Sequence, residues 1–492
     1  MPIKRVVASQ IDFSGLRREL GLPEEFSGGV LAEAEEAVRG TALPVTDRTG
    51  VEFVTIDPAT SRDLDQAMHL SRLGDGGYRV RYAIADVASY VRPGGAVEAE
   101  SWVRGQTVYL PDGRVPLHPP VLSEDAVSLL PDVERAAVVW TIDLDQAGAT
   151  VAVDVERARI RSRAKLDYAG VQRLVDAGDA PEALALLPEI GGLLARRAAD
   201  RGAVNLPLPS QEVERDGEEW RLVLRAPLPI EEHNAQISLL TGMAAATIML
   251  AGGVGLLRTM PSPKPEAVAG LRAAAEPLGI AWPDGASVGA VVAAVDPADP
   301  RGAAFLDQAA ELLRGAGYTA FDATAPAAEV VPPETGRGGS VLSAVPAEAG
   351  HGGVGAPYAH VTAPLRRLAD RYATEICLAL HEGRAVPEWV TAALPRLPKA
   401  MSSTDRVASA ADRGAIDLTE AVLLQGRVGE EFEAAVLDRD EPSAKRAAGG
   451  TIALDDPAVR AKCAGDLPLG QRIRVRLTAA DPATRTVAFE KA

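Results

Sequence analysis

Cysteine is nearly absent: the chain holds 2, Cys377 and Cys463, far apart and outside any Cys-x-x-Cys spacing. That argues against a disulfide framework and a structural zinc site, and a reducing cytoplasm is the expected setting. Aromatic residues are scarce at 4%. A basic surplus is missing too, with a formal net charge of −17 and a pI near 5.0. This argues against a passive, non-specific nucleic-acid coat, which needs a broad basic footprint. It weighs less against an enzyme with a lined channel. The first residues, Met1-Pro-Ile-Lys-Arg-Val-Val, carry no long apolar signal core. One long uncharged run, Ile237 to Leu257, meets the length rule for a membrane span. Gly252, Gly253 and Gly255 should end a helix there. The remainder spans roughly 23 Å, short of a hydrocarbon core of ~30 Å. A buried core helix is the expectation.

What is present suits a large core. The chain has 492 residues, 47% of them hydrophobic, enough for two to four domains. Residues 1–45 read as two short helical pieces around Leu16 and Val30. Alternating strands follow at Val51–Ile56, Tyr78–Ala85 and Val138–Leu144, with Asp75-Gly-Gly as a turn between the first two. Residues 165–202 and 231–320 read as mostly helical. Pro326–Gly355 is rich in Pro, Gly, Ala and Ser and reads as an irregular excursion. Helices resume at Leu365–His381 and Ala385–Leu424. From Gly426 onward short alternating strands recur, which suits a small OB-type barrel.

The sharpest chemical feature is Thr55-Ile-Asp57-Pro-Ala-Thr-Ser-Arg-Asp63-Leu-Asp65-Gln66. A strand delivers Asp57 at its end, and a short loop follows. If the next stretch is extended, Asp63 and Asp65 point the same way. Three carboxylates in one pocket repel one another, and a hard divalent cation with oxygen ligands relieves that repulsion. Such a site suits phosphodiester hydrolysis. The bland alternative is a capped turn at Asp57 followed by a solvated loop.

Several motifs in register resemble the RNB exoribonucleases of the ribonuclease II and ribonuclease R type. They are Phe53–Asp65, Tyr82-Ala-Ile-Ala-Asp86, Tyr109-Leu-Pro-Asp with Pro116-Leu-His-Pro-Pro, Ile160–Tyr168, and Tyr358-Ala-His-Val-Thr-Ala-Pro364-Leu-Arg366-Arg367. The likeness runs from about residue 40 to the C-terminus. It implies a multidomain α/β (α+β) RNB catalytic domain over 46–424 and an all-β S1-type OB barrel over 425–492. The implied activity is Mg²⁺-dependent 3′–5′ hydrolysis of single-stranded RNA to nucleoside 5′-monophosphates, with Mn²⁺ as the alternative metal, by a cytoplasmic monomer. By position, Asp57, Asp63 and Asp65 would hold the metal. Asp65 matches the aspartate on which catalysis most depends, and Arg366 matches the arginine that holds the phosphate. Tyr109 and Tyr168 match residues that meet the RNA end, and Arg367 joins the RNA-binding set.

Departures from the family pattern are equally specific. Gln66 stands where many members have a fourth aspartate, and an amide offers an oxygen without a charge. Leu206 stands where an aromatic stacks on the terminal base. The acidic pair near the start of the long buried helix reads as Ala235-Gln236, and a late-helix glutamate as Asp412. The usual pair of N-terminal cold-shock domains does not fit into 45 residues, so substrate entry is expected to differ. Gln66 and Leu206 motivate an alternative function, a catalytically silent RNA-binding protein. Arg157, Arg159, Arg161, Arg163 and Lys165 alternate, as do Arg472, Arg474 and Arg476. Each set is either an RNA-facing wall or a solvated sheet face. His118 and His360 read as structural, since a metal-activated water needs no histidine base.

Overall fold

The computed structural model describes residues 8, 10–206, 208–323, 346, 349–440 and 448–492. Most of the Pro326–Gly355 excursion lies outside the described residues. Two helices come first, α1 (Ser14–Glu19) and α2 (Gly28–Gly40), as their sequences suggest. The Ser27 hydroxyl caps α2 by accepting from Val30 N–H.

Strands β1 (Phe53–Asp57), β2 (Gln66–Arg72) and β3 (Tyr78–Ala85) lead into helix α3 (Ala96–Arg104). The hairpin β4 (Val108–Leu110) and β5 (Gly113–Val115) follows, then the long pair β6 (Glu134–Leu144) and β7 (Thr150–Asp167). Strands β1, β2, β3, β6 and β7 close into a barrel. Closure comes from β7, which returns parallel to β1 while the other neighbours run antiparallel. Asp75-Gly-Gly joins β2 to β3 rather than β1 to β3. The sequence reading missed β2, whose polar start at Gln66 and His69 masks its alternation. The C-terminal half of β3 is buried on both faces. On β3, Tyr82 and Ile84 join the main core, while Ala83 and Ala85 join a second core with Val30, Phe53 and Leu64.

Helices α4 (Tyr168–Ala177) and α5 (Glu182–Asp200) come next, then the hairpin β8 (Ser210–Asp216) and β9 (Glu219–Arg225) and the long helix α6 (Pro229–Gly252). By length and composition α6 could cross a membrane. It instead buries Ile237, Leu240, Ala245 and Met249 in the main core. Gly253 ends it in the left-handed region at φ 73°. It starts at Pro229, earlier than the uncharged run implied, because Glu231 and Glu232 suit a helix N-terminus.

The helical reading of 231–320 needs one correction. Val254–Thr259 (β10) and Gly317–Asp322 (β11) form a two-stranded antiparallel sheet, enclosing α7 (Pro265–Ala275), α8 (Val288–Ala293) and α9 (Pro300–Ala310). Short apolar runs do not distinguish strand from buried helix by periodicity. A short pair, β12 (Gly350–His351) and β13 (Ala356–Pro357), precedes α10 (Leu368–His381), α11 (Glu388–Thr391) and α12 (Leu397–Leu424).

The C-terminal strands β14 (Glu431–Asp440), β15 (Gly449–Ala453), β16 (Arg460–Ala464), β17 (Arg472–Asp481) and β18 (Thr486–Lys491) close a second barrel, as the tail pattern suggested. Helix α12 joins the two bodies. Ala411 and Ala415 pack with Phe13, Val108 and Trp220, whereas Leu423 and Leu424 enter the core of the second barrel.

At that junction Glu420 is 4% exposed. Its Oε1 accepts from Gln211 Nε2 at 2.9 Å and from Arg460 N–H at 2.8 Å. Burial outweighs both donors and pushes its pKa up to about 7 from 4.5. A raised carboxyl pKa means the folded state binds the extra proton between these values. Stability from this group is therefore present below about pH 4.5 and lost as pH rises to about 7. Glu420→Gln keeps the accepting oxygen. It should raise Tm by about 1–3 °C at pH 8 and leave it unchanged near pH 4.5. Thermal melts at the two pH values test this, and an equal shift at both would refute it.

Candidate active site

The barrel builds the site at the end of β1. Asp57 closes that strand, and the chain turns through Pro58 to reach Asp63, Leu64 and Asp65 before β2 begins. Leu64 is fully buried in the second core. The alternation therefore throws Asp63 and Asp65 to the other side, as the spacing predicted. The loop is stapled from below. Leu64 N–H donates to the Ser128 hydroxyl at 3.0 Å, which donates to the Arg62 carbonyl at 2.6 Å. Lys165 Nζ donates to the carbonyls of Ala59 and Ser61 at 2.8 and 2.5 Å.

A cleft of about 590 Å³ opens above. It is lined by Asp57, Asp63, Asp65, Tyr109, Tyr168 and Arg366, together with Gln66, Arg114, Arg225 and Glu231. The first six are residues the sequence assigned to the site, and the fold brings them to one cavity from four separate stretches of chain.

Burial dominates the electrostatics. Asp65 is 4% exposed, and burial pushes its pKa up to about 8 against the opposing pull of Arg366 and of the Leu365 amide. Asp57 is pushed up to about 6 by burial and by the charge of Asp63. Its Oδ2 is buried and has no hydrogen-bond partner among the described residues. Asp63 is held by Arg114 Nη1 at 2.5 Å and by the Tyr109 hydroxyl at 3.1 Å. Among the described residues, no group of three or more acidic, histidine or cysteine side chains closes a cage around a metal. The three aspartates form an open set instead. An orphaned carboxylate oxygen and two carboxyls raised by burial fit a hard dication whose remaining ligands are water or substrate phosphate.

Arg366 sits across from these acids, its Nε 3.5 Å from Asp65 Oδ2 and its side chain 44% exposed. Tyr109 is 49% exposed at the mouth. The Tyr168 hydroxyl accepts from Asn234 Nδ2 at 3.3 Å, and burial pushes its pKa up to about 12.

Other expected residues lie elsewhere. Arg367 is turned inward, with Nε and Nη2 each 2.9 Å from Asp370. It lines a neighbouring cavity with His360, Arg366 and Asp412. Leu206 packs against the satellite core of α7–α9, which includes Val291 and Phe305, and does not line the cleft. Arg161 pairs with Glu134 at 2.7 Å, and Arg163 donates to the Thr49 carbonyl at 2.7 Å. Neither lines the cleft, because β7 turns that face toward acidic and carbonyl partners. Arg472, Arg474 and Arg476 are likewise matched by Asp455, Glu431 and Glu490. His118 is driven down to about 3 by burial, and His360, hydrogen-bonded to the Tyr318 hydroxyl, is also held neutral. The first turn of α6 carries its own acidic pair, Glu231 and Glu232, one turn before Ala235-Gln236.

Glu231 lines the cleft and accepts two hydrogen bonds from Arg225, at 2.8 and 2.9 Å. Arg114, Ser128, Arg225 and Glu231 were not singled out as parts of this site from sequence, and Lys165 was read as one of an alternating basic set, either an RNA-facing wall or a solvated face, not as a staple of the carboxylate loop. For Arg114 the signal was its place in the Tyr109–Pro116 motif. The others become visible only through contacts distant in sequence.

Residues 45–381 match the RNB domain profile, and residues 430–492 match the RNase II-type exonuclease C-terminal S1 domain. Ribonuclease R of Vibrio cholerae is 28% identical over 450 residues, covering 82% of this chain and 50% of that protein. Ribonuclease R of Acidithiobacillus ferrooxidans is 36% identical over 137 residues, covering 27% of this chain and 30% of that protein. The chain therefore spans half or less of these relatives. The solved apo form of Mycoplasma genitalium RNase R superposes with a TM-score of 0.81 at 18% identity, over 98% of this chain and 77% of that one. Yeast Ssd1, a pseudonuclease, superposes at 0.67 and 18% identity, over 94% of this chain and 54% of that one. At such identities the superpositions establish the fold alone.

The position of Leu206 makes a direct prediction. Leu206→Ala should lower stability by about 1–2 kcal/mol in chemical denaturation, since the side chain is partly buried. Affinity for single-stranded RNA should stay at the wild-type value. A stable variant with weakened RNA binding would place Leu206 in the substrate path.

Proposed function

Because this chain belongs to the RNB family, we propose that it hydrolyses single-stranded RNA stepwise from the 3′ end and releases nucleoside 5′-monophosphates. The observation that carries this reading is the single cleft shared by three carboxylates, a half-exposed arginine and two tyrosines. Asp57, Asp63 and Asp65 would hold Mg²⁺ or Mn²⁺. Bound there, the cation supplies water activation and charge neutralisation at the phosphodiester.

The chain's own groups do the positioning. Among the described residues nothing bonds the guanidinium terminus of Arg366, which can grip phosphate with two parallel N–H donors, a task that favours arginine over lysine. Tyr109 offers an exposed ring at the mouth, on which a base stacks. Tyr168 and Asn234 present a hydroxyl and an amide to the sugar. The buried Asn234 Oδ1 has no partner in the described structure. Burial of Asp65 strengthens every charge contact around it. Two buried free thiols, Cys377 and Cys463, suit a reducing cytoplasm.

A second reading, an RNA-binding protein without turnover, is supported by Gln66 and by the likeness to a pseudonuclease. Incubation with 5′-labelled oligoadenylate and Mg²⁺ separates the two. A ladder of shortened products supports hydrolysis, and gel retention without shortening supports the binder. Asp65→Asn should reduce cleavage roughly a thousandfold while RNA affinity persists. Unchanged turnover in that variant would remove Asp65 from the reaction.

A further inference from the structure

Gln66 stands between the carboxylate loop and the arginine loop, and both ends of its amide are taken. Nε2 donates to the Thr362 carbonyl at 2.6 Å, and Oε1 accepts from the Tyr82 hydroxyl at 2.7 Å. Chemistry forces this orientation. A carbonyl only accepts, so the NH₂ end must face Thr362. A phenol donates, so the oxygen faces Tyr82. Thr362 and Tyr82 are 2% and 1% exposed, so packing holds both partners in place. The one oxygen that could meet a cation already accepts from a buried tyrosine of the barrel, which fixes its direction and leaves it a single lone pair.

Thr362 begins the turn that ends in Arg366. Near its other end the turn is pinned by Asp65, whose Oδ1 accepts from Leu365 N–H at 2.7 Å. Between them Asp370 accepts from Ala363 N–H at 2.7 Å. Ser238 of α6 adds a hydroxyl contact to Thr362 Oγ1 at 2.9 Å. Two adjacent residues, Asp65 and Gln66, thus grip opposite ends of one loop. A carboxylate at position 66 has no proton for Thr362 at neutral pH. It would set negative charge against a buried carbonyl oxygen. Glutamine satisfies the carbonyl and the phenol together.

Resting on the nuclease reading above, we propose that Gln66 is a positioning residue that fixes the Arg366 loop and does not ligate the metal. The centre then operates on three carboxylates. The test uses the full chain and two titrations without turnover: Mg²⁺ alone by calorimetry, and labelled oligoadenylate in EDTA by anisotropy. The variants are Gln66→Met, which keeps volume and removes both hydrogen bonds, Arg366→Ala, and the double mutant. Gln66→Met should leave Mg²⁺ affinity at the wild-type value and weaken oligoadenylate about tenfold. Residues in one network are non-additive, so the double mutant should bind oligoadenylate no more weakly than Arg366→Ala.

A tenfold or larger loss of Mg²⁺ affinity in Gln66→Met would make Gln66 a ligand and overturn the proposal. So would unchanged oligoadenylate affinity, or penalties that multiply in the double mutant. If Gln66→Met does not fold, Tyr82→Phe removes one bond to the amide. It should weaken oligoadenylate about threefold without touching Mg²⁺ affinity, and no change in oligoadenylate affinity would count against the proposal. A wild-type protein that binds but never cleaves refutes the nuclease reading and leaves the decision on Gln66 to the same titrations.

Discussion

Asp65 is a carboxylate kept almost entirely from water, and a backbone amide 300 positions further along the chain holds it in place. Burial works against its charge, while the Leu365 N–H and the Arg366 guanidinium work for it. Much of the surrounding structure serves this contact. The buried Leu64 fixes the direction of the acid, Ser128 fixes Leu64, and Asp370 fixes the loop that brings Leu365. An acid and a base that meet across such a chain separation require both the barrel and the helices to be complete.

The work is divided by element type. The barrel supplies the acids, on a loop stapled by backbone and lysine contacts. The turn before α10 supplies the arginine. The β4–β5 hairpin carries Tyr109 and Arg114, and the start of α6 carries Glu231 and Asn234. Helix α12 then ties this assembly to the second barrel, burying Ala411 and Ala415 in one core and Leu423 and Leu424 in the next.

The sequence made local features legible and left tertiary ones hidden. Asp57, Asp63 and Asp65 were visible because a strand end and a period-two spacing determine where side chains point. The tail barrel was visible because its strands alternate cleanly. Strand β2 escaped because it opens on Gln66 and carries His69, polar residues that obscure a two-residue period. Strands β10 and β11 escaped because their apolar runs carry no period of their own. The β7 arginines were recognised as one face, but what that face meets depends on Glu134, Asp86, Asp47 and Glu375. Partners so far apart in sequence leave no local signal. Leu206 shows the same limit, since matching its position to a motif did not establish which core it enters.

The arginines of the second barrel arrive already matched. Arg476 lies 3.0 Å from Glu431, and Arg472 lies 2.6 Å from Asp455. A polyanion reaching this face must displace anions that are covalently part of the same domain, not mobile salt. Little condensed counterion is then freed per contact. Attachment through this surface should respond weakly to ionic strength and exchange quickly, the behaviour of a guide rail more than of a clamp.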